Sequence, residues 1–255
     1  MCYIIYMLPK NFRQAISKIK KLRIYNRYTG AFIFGSAARN EVVKDSDLDI
    51  IITTKEEAIC NNVSHPFIDG VKSDISFISI EQLISQTKKQ ENNGRIPMIA
   101  ESIILFDKTG ELNKLKKSYR KIKSLKYLKK DYPQRQFLIY HINNKVERNL
   151  LNDPYSSLLA MHLDLNDLLG IHYHIHGKWW LGSKRIMSDL DRWDKSLALL
   201  LRKFISANGI QTKFSVWSKI INHISKPMGK KQKIEDIKCA CKTCKIDLEN
   251  LMSGR

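Results

Sequence analysis

The stretch that most constrains this chain is residues 32–53, Phe32-Ile-Phe-Gly-Ser-Ala-Ala-Arg-Asn-Glu-Val-Val-Lys-Asp-Ser-Asp-Leu-Asp-Ile-Ile-Ile-Thr53. An apolar strand runs into Gly35-Ser36, ten residues follow, and Asp47-Leu48-Asp49 opens a second apolar strand. Strand side chains alternate between faces, so Asp47 and Asp49 point the same way with Cα atoms ~6.5 Å apart. Two carboxylates side by side repel each other unless positive charge sits between them. A hard divalent cation with oxygen ligands, Mg²⁺ above all, meets that need. Gly35 frees the backbone for a tight turn, and Ser36 begins a short helix whose N–H groups and hydroxyl suit a phosphate. A phosphate cradle and metal carboxylates on adjacent strands imply an α+β core built for nucleotide chemistry.

The ordered set Gly35-Ser36, ten residues, Asp47-Leu48-Asp49 resembles the signature of the nucleotidyltransferase superfamily with a polymerase-beta-like catalytic domain. The inner run Ala38-Arg39-Asn40-Glu41, then Asp45-Ser46-Asp47, is similar to the minimal and the antibiotic-modifying (aminoglycoside and lincosamide) branches. Those branches carry a second glycine where this chain has Asn40, a residue that tolerates a left-handed backbone. The family also needs a third carboxylate on a later strand. Asp74, in Lys72-Ser73-Asp74-Ile75-Ser76-Phe77-Ile78, supplies it. The resemblance implies Asp47, Asp49 and Asp74 as metal-binding and catalytic residues, and Gly35, Ser36 and Arg39 as nucleotide-binding ones. It implies Mg²⁺ and an NTP, ATP by preference, as co-substrate. In some aminoglycoside-modifying relatives a carboxylate of the helical domain takes the acceptor's proton. Glu147, Asp164 and Asp167 are the candidates here, with Glu147 the chosen one.

The remaining sequence organises around that motif. Residues 9–28 have helical periodicity in Phe12, Ile16, Ile19, Leu22 and Ile24. Strands are expected at 31–34, from Asp47 on, at 71–80 and at 96–106, with short helices at 37–44 and 81–88. That makes a mixed sheet of about four strands. From Glu111 the period changes: Leu112, Leu115, Tyr119, Ile122, Leu125 and Leu128 form a stripe through a basic helix at 111–130. Further helices are expected at 134–151, 156–173, 184–206, 213–225 and 234–251. The fold class is therefore α+β, with a mixed-sheet nucleotidyltransferase domain over 1–110 and an α-helical acceptor-binding bundle over 111–255.

Charge matters because it is uneven under that division. The chain carries a net charge of +19, of which residues 1–110 hold +3 and 111–255 hold +16. The basic half reads either as a polyanion-binding surface or as the solvated exterior of a Lys-, Ile- and Asn-rich chain. The apolar Met1–Met7 stretch lacks the length and basic flank of a signal peptide, and no run approaches a membrane span. A cytoplasmic enzyme is the expectation.

Two clusters stand apart from the motif. Cys239, Cys241 and Cys244 form C-x-C-x-x-C without a fourth ligand at conventional spacing, which favours reduced thiols over closed zinc. His172 and His176 share a helix face, as zinc ligands do, yet no third ligand is identifiable. After them, Gly177-Lys178-Trp179-Trp180-Leu181-Gly182-Ser183 resembles a loop in the helical domain of antibiotic-type nucleotidyltransferases. It reads as a stacking surface or as a core anchor.

These readings converge on Mg²⁺-dependent transfer of a nucleoside monophosphate to a hydroxyl of a small molecule, as in antibiotic resistance. The alternatives are a protein-adenylylating enzyme of the toxin–antitoxin type and a nucleic-acid-binding module that uses the basic half.

Overall fold

A computed structural model of the chain describes residues 3–56, 64–87, 94–229 and 253. The predicted helix at 234–251 and the Cys239/Cys241/Cys244 cluster lie outside them. The chain divides into two compact units, residues 1–124 and 125–255.

In the first unit, α1 (Tyr3–Met7) and α2 (Lys10–Lys21) precede β1 (Tyr28–Ile33), α3 (Gly35–Arg39) and β2 (Leu48–Thr54). Then come β3 (Phe67–Ile68), β4 (Val71–Ser79), α4 (Ile80–Ser85), α5 (Arg95–Glu101), β5 (Ile103–Asp107) and α6 (Glu111–Tyr119). The five strands form one sheet in the order β3-β4-β2-β1-β5. β2 and β4 run parallel, while β1 pairs antiparallel with both β2 and β5. The sheet is thus mixed, as expected, with β3 as an additional two-residue edge strand. Its core joins Ile33, Leu48, Ile50, Ile52 and Leu105 of the strands to Phe12, Ala15, Ile16 and Ile19 of α2.

Two expectations are corrected here. Residues 96–106 are not one strand: α5 occupies the first part and β5 the second. Pro97 sits in the first turn of α5, where a missing N–H costs nothing; a strand interior would need that donor. The predicted helix 111–130 stops at Tyr119. Leu112, Leu115 and Tyr119 are buried, whereas no residue from 120 to 131 is. The stripe continues in sequence without a surface to cover, and the helix ends where burial ends. Gly30 of β1 shows how tightly α6 is seated, since an added Cβ there would lie 2.5 Å from Leu112 Cδ1. α6 therefore belongs to the first compact unit, which runs to Ser124.

The second unit is helical: α7 (Tyr132–Asn149), α8 (Pro154–Ile175), α9 (Ile186–Trp193), α10 (Lys195–Ser206) and α11 (Ile210–Ser225). Its core packs Ile139, Val146, Met161, Leu168, Tyr173, Leu201, Phe204, Trp217 and Ile220 together. Two buried polar contacts fix helix register: Ser157 Oγ donates to Val146 O (2.9 Å), and Trp217 Nε1 donates to Asn143 Oδ1 (3.2 Å). The single helix expected at 184–206 is two, broken at Asp194. That residue's backbone leaves helical geometry at φ −144°, ψ 70°, and its carboxylate caps α10 by accepting from Leu197 N–H. Among the described residues, no helix is long and apolar enough to cross a membrane.

Candidate active site

The site forms where β1 ends and β2 and β4 run side by side. Parallel pairing places Asp49 opposite Asp74, with Leu48 opposite Ser73 and Ile50 opposite Ile75. Both carboxylates come from partly buried positions between buried neighbours, so the alternation foreseen for each strand is also matched across the pair. Asp47 is one residue ahead of β2 and partly exposed.

β1 delivers the glycine to the same place. Phe34 N–H donates to Asp49 O (3.1 Å), and the chain turns at once through Gly35, at φ +67°. An added Cβ at Gly35 would collide with Asp49 Oδ2. Glycine is therefore required twice, for the left-handed backbone and for the space the carboxylate occupies. Ser36 follows in α3, partly buried, and its carbonyl accepts from Glu41 N–H (2.9 Å). α3 ends at Asn40, whose φ of 59° and ψ of 38° are left-handed. Asparagine thus does what the second glycine does in the resembled branches.

Two basic side chains meet the carboxylates. Lys72 Nζ lies 3.3 Å from Asp47 Oδ2, and His65 Nδ1 lies 2.7 Å from Asp74 Oδ1. His65 reaches Asp74 because Ser64 bridges to Ile75 through two backbone hydrogen bonds of 2.9 and 2.8 Å. Neither residue was singled out from the sequence. Lys72 had a readable signal, lying two residues before Asp74 on the same strand face, but His65 sits beyond a connection whose course the sequence does not reveal. Arg39 is held by Glu41 (2.6 Å) and, more loosely, by Glu101 (3.7 Å). Asp47, Asp49 and Asp74 offer only oxygen donors, the donor type that a hard divalent ion such as Mg²⁺ takes.

The remaining sequence candidates lie in the second unit. Glu147 is on α7 and lines a cavity of about 220 Å³ with Tyr140, Asn143, Phe214, Ser218, Ile221 and Asn222. Asp164 is on α8, and burial raises its pKa; Lys145 opposes that rise and Asp167 adds to it. Trp180 packs against the core, edge-on to Tyr173 with ring centroids 5.1 Å apart, the geometry of an anchor.

His172 and His176 share a face as expected, with ring centroids 4.5 Å apart, but His172 Nε2 is engaged elsewhere. Its Nε2 lies 2.8 Å from Asp194 Oδ2, and His223 Nε2 lies 2.8 Å from the same oxygen. Burial, reinforced by neighbouring His176, pushes the His172 pKa down to about 4 against the pull of Asp194. Its Nδ1 is buried with no hydrogen-bond partner among the described residues, so a proton there would be unsolvated. For Asp194, burial acts upward, but His223, the Leu197 N–H and His172 outweigh it and hold the carboxyl below its usual range.

Comparison with known proteins bears on the first unit. Residues 17–111 match the family model described as polymerase beta, nucleotidyltransferase. No curated protein matches the chain. Among solved structures, a nucleotidyltransferase-like protein from Exiguobacterium sibiricum 255-15 is 14% identical and aligns over 84% of this chain and 74% of its own, with a TM-score of 0.46. The matched segment runs from the middle of α2 to the start of α6 and encloses Gly35, Asp47, Asp49 and Asp74. Residues 17–111 thus form a domain of the polymerase-beta-like nucleotidyltransferase superfamily.

Proposed function

We propose that this chain transfers a nucleoside monophosphate, AMP by preference, from an NTP to a hydroxyl of a small molecule, with Mg²⁺, in the manner of antibiotic nucleotidyltransferases. The observation that carries the reading is the parallel register of Asp49 and Asp74 beside a glycine whose missing Cβ leaves room for the Asp49 carboxylate. Asp47, Asp49 and Asp74 would hold the metal. The metal, when bound, polarises the α-phosphate and neutralises charge on the entering and leaving oxygens. Ser36 and the N–H groups of the Gly35 turn hold the outer phosphates. The acceptor oxygen forms a bond to the α-phosphorus, the bond to the bridging oxygen breaks, and pyrophosphate leaves. The acceptor's proton goes to a carboxylate of the strand site, Asp74.

A small acceptor is favoured over nucleic acid by what holds the basic segment. Lys116 Nζ donates to the Ser102 carbonyl, and Arg120 Nε donates to Ala100 O (3.2 Å). Two of the cations that a polyanion would need are thus spent on their own unit.

The test is pyrophosphate release from ATP, GTP, CTP and UTP with Mg²⁺ and a panel of aminoglycosides, lincosamides, tRNA and cell protein. ATP with a small acceptor should turn over, and Asp49→Asn and Asp74→Asn should each lose at least about a hundredfold while staying folded. Turnover only with cell protein would replace this reading by protein adenylylation. Native rates in either variant would remove these carboxylates from the reaction.

A further inference from the structure

We propose that the helical unit carries a second metal site, for Zn²⁺ or a similar first-row transition ion, made by His172, Asp194 and His223. The site is separate from the strand carboxylates and independent of the transferase reading. Its three ligand atoms lie within 4.8 Å of one another. The residues come from three places in the fold: the last turn of α8, the break between α9 and α10, and the last turn of α11.

The convergence has a particular form. Both Nε2 atoms approach one carboxylate oxygen, Oδ2, at 2.8 Å each, instead of taking one oxygen apiece. The other oxygen, Oδ1, is committed to the Leu197 N–H at 3.0 Å. Oδ2 and the two nitrogens therefore face a common point, as three corners of a tetrahedron do. Zn–N and Zn–O bonds of about 2.0–2.2 Å would spread those corners to roughly 3.3 Å, a shift that side-chain rotation supplies.

The ligands are held before any ion arrives. His172 is buried and stacked on Trp193, with centroids 5.2 Å apart and planes 14° apart. Asp194 is fixed by its cap to Leu197 and by its own N–H to Leu190 O (2.7 Å). Charge points the same way. Among the described residues no Lys or Arg pairs with Asp194, whose side chain is 13% exposed. A largely buried carboxylate oxygen, Oδ2, met by two imidazoles and by no cation of Lys or Arg among the described residues is complementary to a dication. Two imidazoles and one carboxylate select Zn²⁺-class ions over Mg²⁺, which prefers oxygen alone. His223, 27% exposed, opens the fourth position to water. The ion would tie α8, α10 and α11 together; because ligation through Nε2 leaves the His172 proton on Nδ1, buried without a partner among the described residues, His172 is the weakest of the three ligands.

The experiment uses the full chain with Cys239, Cys241 and Cys244 changed to Ser, to remove competing thiolates. The protein is stripped with a chelator and titrated with Co²⁺ in excess Mg²⁺, which keeps the strand carboxylates out of the readout. One equivalent should bind with the intense visible bands of four- or five-coordinate cobalt, Zn²⁺ should displace it, and Zn²⁺ should raise Tm. Asp194→Asn, which keeps the helix cap, and His223→Gln, at the solvent side, should each weaken binding more than tenfold. Circular dichroism should show both folded. No tightly bound cobalt in the thiol-free chain would overturn the proposal whatever the variants do. Binding unchanged by both substitutions would overturn it equally.

Discussion

Gly35 is the residue on which the candidate site turns. Alanine there meets two separate penalties: a left-handed backbone costing about 1–2 kcal/mol for an L-residue, and the clash with Asp49 Oδ2. The second penalty depends on Asp49 and the first does not. Gly35→Ala should therefore destabilise the native chain by more than it destabilises an Asp49→Ala background. Denaturant unfolding of the four chains measures that coupling. Strictly additive costs would mean that the two side chains do not share the space. His172 gives a prediction in pH. Its folded pKa of about 4 lies below the ordinary 6.5, so the folded state binds fewer protons than the unfolded. Stability is full above about pH 6.5 and is lost as pH falls toward 4. For the metal-stripped chain the loss by pH 5 should be on the order of 2 kcal/mol. The lowered Asp194 carboxyl works in the same sense at more acid pH. An unfolding free energy flat from pH 8 to 5 would contradict the burial argument.

Elements were legible wherever period and burial agree. β2 and β4 could be read from alternation, and Asp49 and Asp74 with them, because each strand's pattern is local. Their pairing was not readable, since register is a property of two strands. The 96–106 misreading had its signal in Pro97, which suits the first turn of a helix and not a strand. The break in 184–206 also had one: Asp194, three residues before buried Leu197, is a helix N-cap. What no local pattern could show is that Asp194 also meets His172 and His223, which are 22 and 29 residues away on other helices. The extent of α6 failed for a related reason, because an apolar stripe makes a lasting helix only where a partner surface exists. β1 supplies that surface at Gly30. Gly30→Val should press on Leu112 Cδ1, Thr53 Oγ1 and the Phe106 carbonyl together, and overpacking of this kind costs about 1–3 kcal/mol. Leu112→Ala should relieve part of that cost. Unfolding of the single and double variants measures it, and a Gly30→Val chain as stable as the native would mean that α6 moves away freely.

At the scale of the whole molecule, the position of α6 changes what the charge means. Divided at Gly110, the sequence is +3 against +16, which suggested a helical half built for polyanions. Divided at Ser124, where the units part, residues 1–124 carry 21 Lys/Arg against 13 Asp/Glu, a net of +8. Residues 125–255 carry 23 against 12, a net of +11. The asymmetry was largely the basic run at 114–123, which stays with the nucleotidyltransferase unit. A charge spread almost evenly over two units no longer marks the helical half as the one built for polyanions. Within that run Lys116 and Arg120 already donate to main-chain carbonyls. RNA or DNA should therefore bind weakly. Changing Lys116, Lys117, Lys121 and Lys123 to Gln should alter affinity no more than about threefold, where four phosphate contacts would make the native chain lose about two tenfold steps between 50 and 200 mM salt. The measurement is fluorescence anisotropy of labelled RNA and DNA against salt, for the native chain and the fourfold variant. Tight binding that collapses with salt and disappears in the variant would make nucleic acid the acceptor. Weak binding indifferent to those lysines leaves the small hydroxylated molecule as the substrate to find.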